Sequence, residues 1–289
     1  MWTVAIPSVD NIDDHLDAAF NFMNGEAVYS MSSDELEAIH QIYDFYDILE
    51  GQPHTALNLD EGAPCEQAIH DAYDEVQQGG RLSDLRNILL ASVTECPYCG
   101  YAEATTLDHY LPKAKFPALA IYPRNLVPAC QPCNGAKSSH VPLGTEGFIH
   151  AYFMDFPREI FLHANVSYNN GALVVEFHIE NSAIDKNILK RLRFQLGRLK
   201  LNERYLDQIN TFLFDLEPSI KFFMGLPEPA SMIESFFSNS AQSYVGTFGL
   251  NHWKTALIRG LKDSIEFCSD PGPYFQIGRI RVQLTETAT

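Results

Sequence analysis

The sequence of 289 residues contains no run of about 18 apolar residues, so it predicts no membrane-spanning helix and no membrane partner. No basic segment precedes an apolar run near the N-terminus, which argues against a secretory signal. Internal repeats and low-complexity segments are also absent from the sequence. These absences favour a cytoplasmic globular protein, and the length allows one or two domains with a packed core.

Basic residues are scarce in the first third of the chain. Residues 1–95 hold 2 basic and 19 acidic residues, a net charge of −17. Residues 96–140 hold 4 basic and 2 acidic residues, and residues 141–289 hold 14 and 16. The total charge of −17 looks wrong for a protein that binds nucleic acid. However, the acidity belongs to the N-terminal third, and the middle of the chain is mildly basic.

Cysteine is rare too, but its spacing is informative. Four of the six cysteines form two Cys-x-x-Cys pairs: Cys96, Cys99, Cys130 and Cys133. In a reducing cytosol such pairs are interpreted as metal ligands before disulfides. Two tight turns with two thiolates each can surround zinc tetrahedrally and leave no open position, so we predict one structural zinc ion. A zinc ribbon without activity is therefore one possible interpretation, and Cys65 and Cys268 are predicted to be ordinary small residues.

The hydrophobic pattern predicts an α+β fold class, with a mainly helical protein around a zinc-stapled ββα core and an additional β-hairpin. Three regions follow from this pattern: an acidic helical region over 1–94, the zinc module over 95–140, and a hairpin plus helical region over 141–289. The hairpin is expected around Asn169-Asn170-Gly171, because Asn-Gly is a strong hairpin signal. The third region includes a predicted basic helix at 186–204.

An Asp-His pair lies between the two cysteine pairs, and an Asn follows the last cysteine directly. The stretches "CPYCG", "TTLDHYLPK" and "NLVPACQPCNGAK" resemble, in this order, the HNH nuclease family with its ββα-metal finger and four-cysteine zinc site. More loosely, an HNH core between an acidic helical N-terminus and a helical C-terminus is similar to the Septu and retron-associated nucleases. Those nucleases are effectors of bacterial anti-phage systems.

Hydrolysis of a phosphodiester needs a base that activates water, a cation that stabilises the developing charge, and donors for the phosphate. His109 is the predicted base, because a neutral imidazole is available near pH 7. Asp108 must play a different part, since neighbouring residues on a strand point to opposite faces. The resemblance implies that Asp108 and Asn134 hold one Mg2+ or Mn2+ ion, for which oxygen ligands are suited. It also implies that Asn125 braces the loop and orients His109.

Other basic side chains are candidates for holding nucleic acid. Within the finger these are Lys113 and Lys137, although Lys113 can also be an ordinary surface residue. In the predicted helix 186–204, the basic candidates interleave with apolar residues: Lys190, Arg191, Arg193 and Arg198. Such a helix can bury one face and present a cationic stripe to phosphates, or it can dock on the acidic N-terminal third. The sequence contains no base-reading motif, so it predicts no sequence specificity.

Three functions fit these observations. The first is a metal-dependent endonuclease with a structural Zn2+ and a catalytic Mg2+ or Mn2+, and DNA as its expected substrate. The second is a catalytically silent zinc-finger module that binds nucleic acid or protein. The third keeps the nuclease but makes it an anti-phage defence effector, restrained by a partner such as an ATPase that docks on the acidic N-terminal region. Intact Asp108, His109 and Asn134 favour a nuclease over the silent module.

Overall fold

The computed structural model describes residues 3–22, 24–60, 63–169, 172–275 and 282–283. It divides into two compact units, one of the described residues through Phe156 and one of those from Pro157 onwards. The predicted α+β class is confirmed, because helices dominate the described residues and the strands among them form two small sheets. No helix within the described residues has the length and apolar character that a bilayer-spanning segment needs.

The first unit contains the acidic helices and the zinc module. Its helices and strands are α1 (Ile12–Phe20), α2 (Ser33–Ile48), α3 (Pro64–Ala72), α4 (Ser83–Ala91), β1 (Thr106–His109), β2 (Leu126–Ala129) and α5 (Gln131–Lys137). Strands β1 and β2 pair antiparallel, with Thr106 opposite Ala129 and His109 opposite Leu126. The predicted ββα arrangement is therefore present as β1, β2 and α5.

Helix α2 begins with a capping box, in which Ser32 and Glu35 satisfy each other's backbone N–H groups. One face of the helix is buried, with Ile39, Tyr43 and Tyr46 each at most 3% exposed. The Tyr43 ring stacks on Tyr122, in the loop between β1 and β2, with 4.1 Å between ring centroids. The predicted regions 1–94 and 95–140 thus lie in one compact unit and share a core.

The second unit contains the hairpin and the remaining helices. Its elements are β3 (Leu162–Asn169), β4 (Ala172–Ile179), α6 (Lys186–Arg198), α7 (Leu201–Met224), α8 (Pro229–Phe248), α9 (Trp253–Asp263), α10 (Ile265–Ser269), α11 (Gly272–Phe275) and β5 (Val282–Gln283). Strands β3 and β4 pair antiparallel, which confirms the predicted hairpin, and β5 pairs parallel to β4. The turn at Asn170 and Gly171 lies outside the described residues.

The prediction of one basic helix over 186–204 is wrong. Helix α6 ends at Arg198, and Lys200 adopts a left-handed conformation (φ 50°) before α7 begins. A non-glycine residue in that conformation costs of order 1 kcal/mol, so other contacts must compensate. Asn202 supplies two of them, because its side chain accepts from the backbone N–H of Phe177 at 2.8 Å and donates to the Phe177 carbonyl at 3.0 Å. The helical segment is therefore interrupted close to the point where the Asn202 side chain bonds to strand β4.

Candidate active site and metal centre

The four cysteines of the two Cys-x-x-Cys pairs meet at one point. Their sulfur atoms all lie within 4.8 Å of one another, each residue is at most 3% exposed, and the Sγ atoms of Cys99 and Cys130 are 3.9 Å apart. Thiolates about 2.3 Å from a tetrahedral zinc ion lie about 3.8 Å from each other, whereas a disulfide would bring two sulfurs to about 2 Å. This four-cysteine site is therefore suited to zinc, as predicted.

Local backbone geometry shapes both cysteine turns. Gly100 lies in the left-handed region (φ 74°), and its N–H donates to the Cys96 carbonyl at 2.8 Å. Glycine adopts this conformation without the penalty that a Cβ atom imposes. Cys130 is the N-cap of α5, so Cys133 follows within the first turn of that helix. The second pair therefore begins the helix that also carries Asn134.

Asp108 and His109 point to opposite faces of β1, as the strand period predicts. The Asp108 side chain meets residues of the first cysteine turn and of α5, namely Tyr98 and Lys137. The His109 side chain meets Ala120 in the β1–β2 loop and the ring of Tyr73, with 4.3 Å between ring centroids. The two neighbours thus have separate surroundings and separate chemistry.

The His109 imidazole is held through one nitrogen. Its Nε2 atom lies 2.9 Å from the Ala120 carbonyl oxygen, which can only accept, so Nε2 carries the proton in the neutral ring. Its Nδ1 atom has no hydrogen-bond partner among the described residues and keeps a lone pair. Burial lowers the pKa of His109 to about 3, so the ring is neutral at pH 7. The arrangement suits a general base that acts through Nδ1.

Asn125 is fully buried and uses every hydrogen-bonding position of its side chain. Its Nδ2 donates to the carbonyls of Leu111 and Leu119, both at 3.1 Å. Its Oδ1 accepts from the Leu111 N–H at 2.8 Å and from the Tyr46 hydroxyl at 3.1 Å. Leu119 directly precedes Ala120, which contacts His109. Asn125 therefore braces the loop that carries the acceptor for His109.

Asp108 is 2% exposed, and both of its carboxylate oxygens are engaged. Its Oδ2 accepts from the Tyr98 hydroxyl at 2.8 Å, and its Oδ1 lies 3.2 Å from Nζ of Lys137. Lys137 itself is 0% exposed and also donates to the His109 carbonyl at 2.6 Å. This burial keeps the Lys137 ammonium away from a phosphate, contrary to the expectation from the sequence. Burial raises the pKa of Asp108, although the Lys137 ammonium opposes that shift.

The amide of Asn134 has a defined orientation. Its Nδ2 lies 3.3 Å from the Leu107 carbonyl and 3.1 Å from the Thr106 hydroxyl, which gives its own proton to the Ala129 carbonyl. Both partners must accept, so the amide nitrogen faces them and Oδ1 faces away. Oδ1 has no hydrogen-bond partner in the described part of the chain. An oxygen in this state fits a ligand of a hard divalent cation.

The other basic residues that were predicted to contact nucleic acid lie in two places. Lys113 is half-buried in the β1–β2 loop, with Nζ 4.9 Å from the centroid of the Tyr73 ring. The other four lie on α6 in the second unit: Lys190, Arg191, Arg193 and Arg198. Of these, Arg191 is half-buried and the others are exposed. Arg193 also donates through Nε to the Ile179 carbonyl at 2.8 Å, so it helps to hold α6 on the hairpin.

Sequence reasoning missed three partners of the site. Tyr98 lies between the cysteines of the first pair, and this position is the one signal that could have suggested it. Tyr46 and Tyr73 come from the N-terminal region, and only the folded chain brings them to Asn125 and His109. The Tyr73 hydroxyl also donates to the Leu107 carbonyl at 3.1 Å, beside the Asn134 amide.

These features define a ββα module with a four-thiol zinc-type site and a neutral histidine on β1. Residues 96–140 match the sequence model of the HNH endonuclease family, which confirms the resemblance on these residues. Protein ea31 of Escherichia phage lambda is 28% identical over 202 aligned residues, which cover 63% of this chain and 66% of that protein. Septu protein PtuB of Bacillus thuringiensis is 36% identical over 58 residues, 18% of this chain and 23% of that protein. No solved structure matches significantly.

The chain spans less than two thirds of the length of either relative. The HNH match covers the zinc-type site and the residues on β1 and α5, and it leaves the other helices of both units outside. The comparisons thus support a nuclease family for the module.

Proposed function

We propose that this protein is a metal-dependent endonuclease that hydrolyses phosphodiester bonds in nucleic acid, with DNA as the expected substrate. The observation that supports this most is the neutral His109 ring, with Nε2 tied to a carbonyl and the Nδ1 lone pair available. Within the HNH-matching segment, that nitrogen accepts a proton from the water that attacks phosphorus. The fixed ring orientation means that little reorganisation is needed when the water loses its proton.

A second metal is part of the proposal. Asp108 and Asn134 would hold a Mg2+ or Mn2+ ion, which would stabilise the charge that develops on the phosphate and the leaving oxygen. The Asn134 oxygen fits that role, because its amide orientation leaves Oδ1 available. Asp108 fits only if Lys137 shares or releases its Oδ1 atom, since both carboxylate oxygens have partners. The four-thiol zinc site has no open position, so we assign it a structural role alone.

Nucleic acid would be bound through cationic side chains at the surface. On α6 we assign this role to the exposed Lys190, Arg193 and Arg198, while half-buried Arg191 contributes less. In the first unit, the candidate is Lys113, which is half-buried beside the His109 loop. Contacts of this kind are made to phosphates and read no sequence.

The acidic N-terminal region motivates a regulated effector that docks a partner such as an ATPase. The likeness to a Septu protein supports an anti-phage role, and that likeness covers only 58 residues. Glu35 and Asp47 are poor docking residues, because Glu35 closes the capping box and Asp47 binds Tyr122 and Arg124. The exposed acids Asp34, Glu37 and Asp44 are better candidates. We place this activity in the cytoplasm, where reduced cysteines persist.

A catalytically silent zinc-finger module is the second candidate. The observation that favours it is the Asp108 carboxylate, which already has a buried cation and a hydroxyl as partners. In that case, Lys137 would permanently occupy the place of the divalent cation, and the module would only bind nucleic acid or protein.

A cleavage assay distinguishes the proposed nuclease from the catalytically silent module. Purified protein is mixed with supercoiled plasmid, single-stranded DNA or RNA, in Mg2+ or Mn2+ and in EDTA, and its zinc content is measured alongside. The proposed nuclease cleaves at least one of these substrates in a metal-dependent manner. Binding without cleavage under all metal conditions would favour the silent module.

A further inference from the structure

A chain of buried polar groups runs from helix α2 to the loop that holds His109. Tyr46 on α2 is 0% exposed, and its hydroxyl lies 2.9 Å from Nε2 of His150 and 3.1 Å from Oδ1 of Asn125. A carbonyl of Arg124 lies further away, at 3.4 Å. His150 is 3% exposed and Asn125 is 0% exposed, so each of these groups depends on its protein partners.

The directions of these hydrogen bonds follow from the donors and acceptors. Nδ1 of His150 accepts from the backbone N–H of Tyr152 at 3.2 Å, so the neutral ring carries its proton on Nε2. Nε2 therefore donates to the Tyr46 oxygen, and the Tyr46 hydroxyl gives its single proton to Oδ1 of Asn125. That oxygen cannot donate, and at 3.1 Å it is a nearer acceptor for the Tyr46 hydroxyl than the Arg124 carbonyl at 3.4 Å.

The chain continues to His109 through the backbone. Asn125 donates to the Leu119 carbonyl, and the next carbonyl, of Ala120, accepts from Nε2 of His109 at 2.9 Å. The orientation of the Asn125 amide thus fixes a peptide segment whose acceptor sets the tautomer of the imidazole. Tyr46 holds that amide from outside the HNH-matching segment of 96–140.

We infer that Tyr46 is a positioning residue of the nuclease, which holds Asn125 and the Leu119–Ala120 segment so that His109 presents Nδ1 to water. This inference rests on the proposed function, in which His109 is the base. The N-terminal helix α2 is then part of the catalytic framework of this chain. It acts at a distance from the reacting atoms, through one hydroxyl.

The same helix offers a matched control. Tyr43 is also buried, at 3% exposed, and its hydroxyl has no hydrogen-bond partner in the described residues. Its ring stacks on Tyr122, and phenylalanine preserves such a contact. Tyr43→Phe and Tyr46→Phe therefore remove the same atom from the same face of α2, but only Tyr46→Phe breaks the chain to Asn125.

The test measures cleavage kinetics and the His109 tautomer in both variants, with zinc content and melting temperature as checks on folding. For Tyr46→Phe we expect kcat to fall about tenfold, equivalent to about 1.4 kcal/mol, with KM for DNA within about twofold. Nitrogen-15 spectra of histidine-labelled protein should show His109 as a single Nε2–H tautomer in the wild type and as a mixture in Tyr46→Phe. Tyr43→Phe should match the wild type in both measurements.

Equal kcat and equal tautomer signals in Tyr46→Phe and Tyr43→Phe would overturn the inference. A fall in kcat in Tyr46→Phe with an unchanged His109 tautomer would also overturn it, because the effect would then be structural. If the wild-type protein cleaves no nucleic acid, the proposed function fails. The tautomer signal alone then decides whether Tyr46 positions His109.

Discussion

Replacement of Lys137 by methionine should destabilise the first unit strongly. The ammonium of Lys137 and the carboxylate of Asp108 lie 3.2 Å apart, and the two residues are 0% and 2% exposed. Methionine has a similar volume but no charge, so the change leaves a buried carboxylate without its cation. Breaking a buried ion pair in this way typically costs about 3–5 kcal/mol in the free energy of unfolding. The carbonyl of His109 loses a donor as well.

A double-mutant cycle separates the pair from its surroundings. Asp108→Asn should also be costly, because it leaves the Lys137 ammonium buried without a counter-charge. The double variant Asp108→Asn with Lys137→Met contains no buried charge at this point, so its loss should be smaller than the sum of the single losses. We expect the difference to be about 2 kcal/mol or more, in the range of coupled neighbours.

The assay is urea unfolding followed by zinc release to a colour-forming indicator, which reports on the unit that contains the four cysteines. Circular dichroism on the same samples monitors the whole chain. Lys115→Met is the matched control, because Lys115 is an exposed lysine of the β1–β2 loop and should change stability by less than about 0.5 kcal/mol. A Lys137→Met variant as stable as that control, or single losses that simply add, would show that the buried ion pair does not stabilise the first unit.

Three further predictions concern the zinc site, the His109 imidazole and the electrostatic binding of nucleic acid. Cys96→Ser or Cys130→Ser should release zinc and unfold the module, because metal binding contributes to its folding energy; an absence of zinc in fresh wild-type protein would contradict this. Because the pKa of His109 is lowered to about 3, its neutral form should persist from neutral pH to about pH 5. Its NMR signal should therefore not titrate there, and a midpoint near 6.5 would refute the burial argument. Charge reversal of the exposed pair Lys190 and Arg198 should weaken binding to all DNA sequences alike and flatten the salt dependence by about 0.9 per lost phosphate contact. A changed sequence preference with an unaltered salt slope would contradict that role.

The sequence predicted the module well because its signals are local. Each cysteine pair spans four residues, and the position of Asn134 directly after Cys133 places it on the helix that the second pair begins. The opposite orientations of Asp108 and His109 follow from the strand period alone. These features need no knowledge of how distant parts of the chain pack.

Features that depend on distant partners were not predictable. A lysine one turn after Asn134 looks the same whether it reaches solvent or a carboxylate 29 residues earlier, as Lys137 does. In the sequence, Asp47 is indistinguishable from the other acidic residues of the N-terminal third. In the structure, it binds Tyr122 and Arg124 in the β1–β2 loop. The break at Lys200 also involves a distant contact, because it lies where Asn202 meets strand β4.

The proposed role of His109 as the base of a metal-dependent nuclease can be tested by one comparison. Wild-type protein and His109→Ala, with equal zinc content, are incubated with plasmid DNA in Mg2+, with an EDTA control. We expect metal-dependent cleavage by the wild type and a rate lower by roughly 10²–10⁴-fold in the variant, as for loss of a positioned base. Cleavage by His109→Ala at the wild-type rate would contradict it.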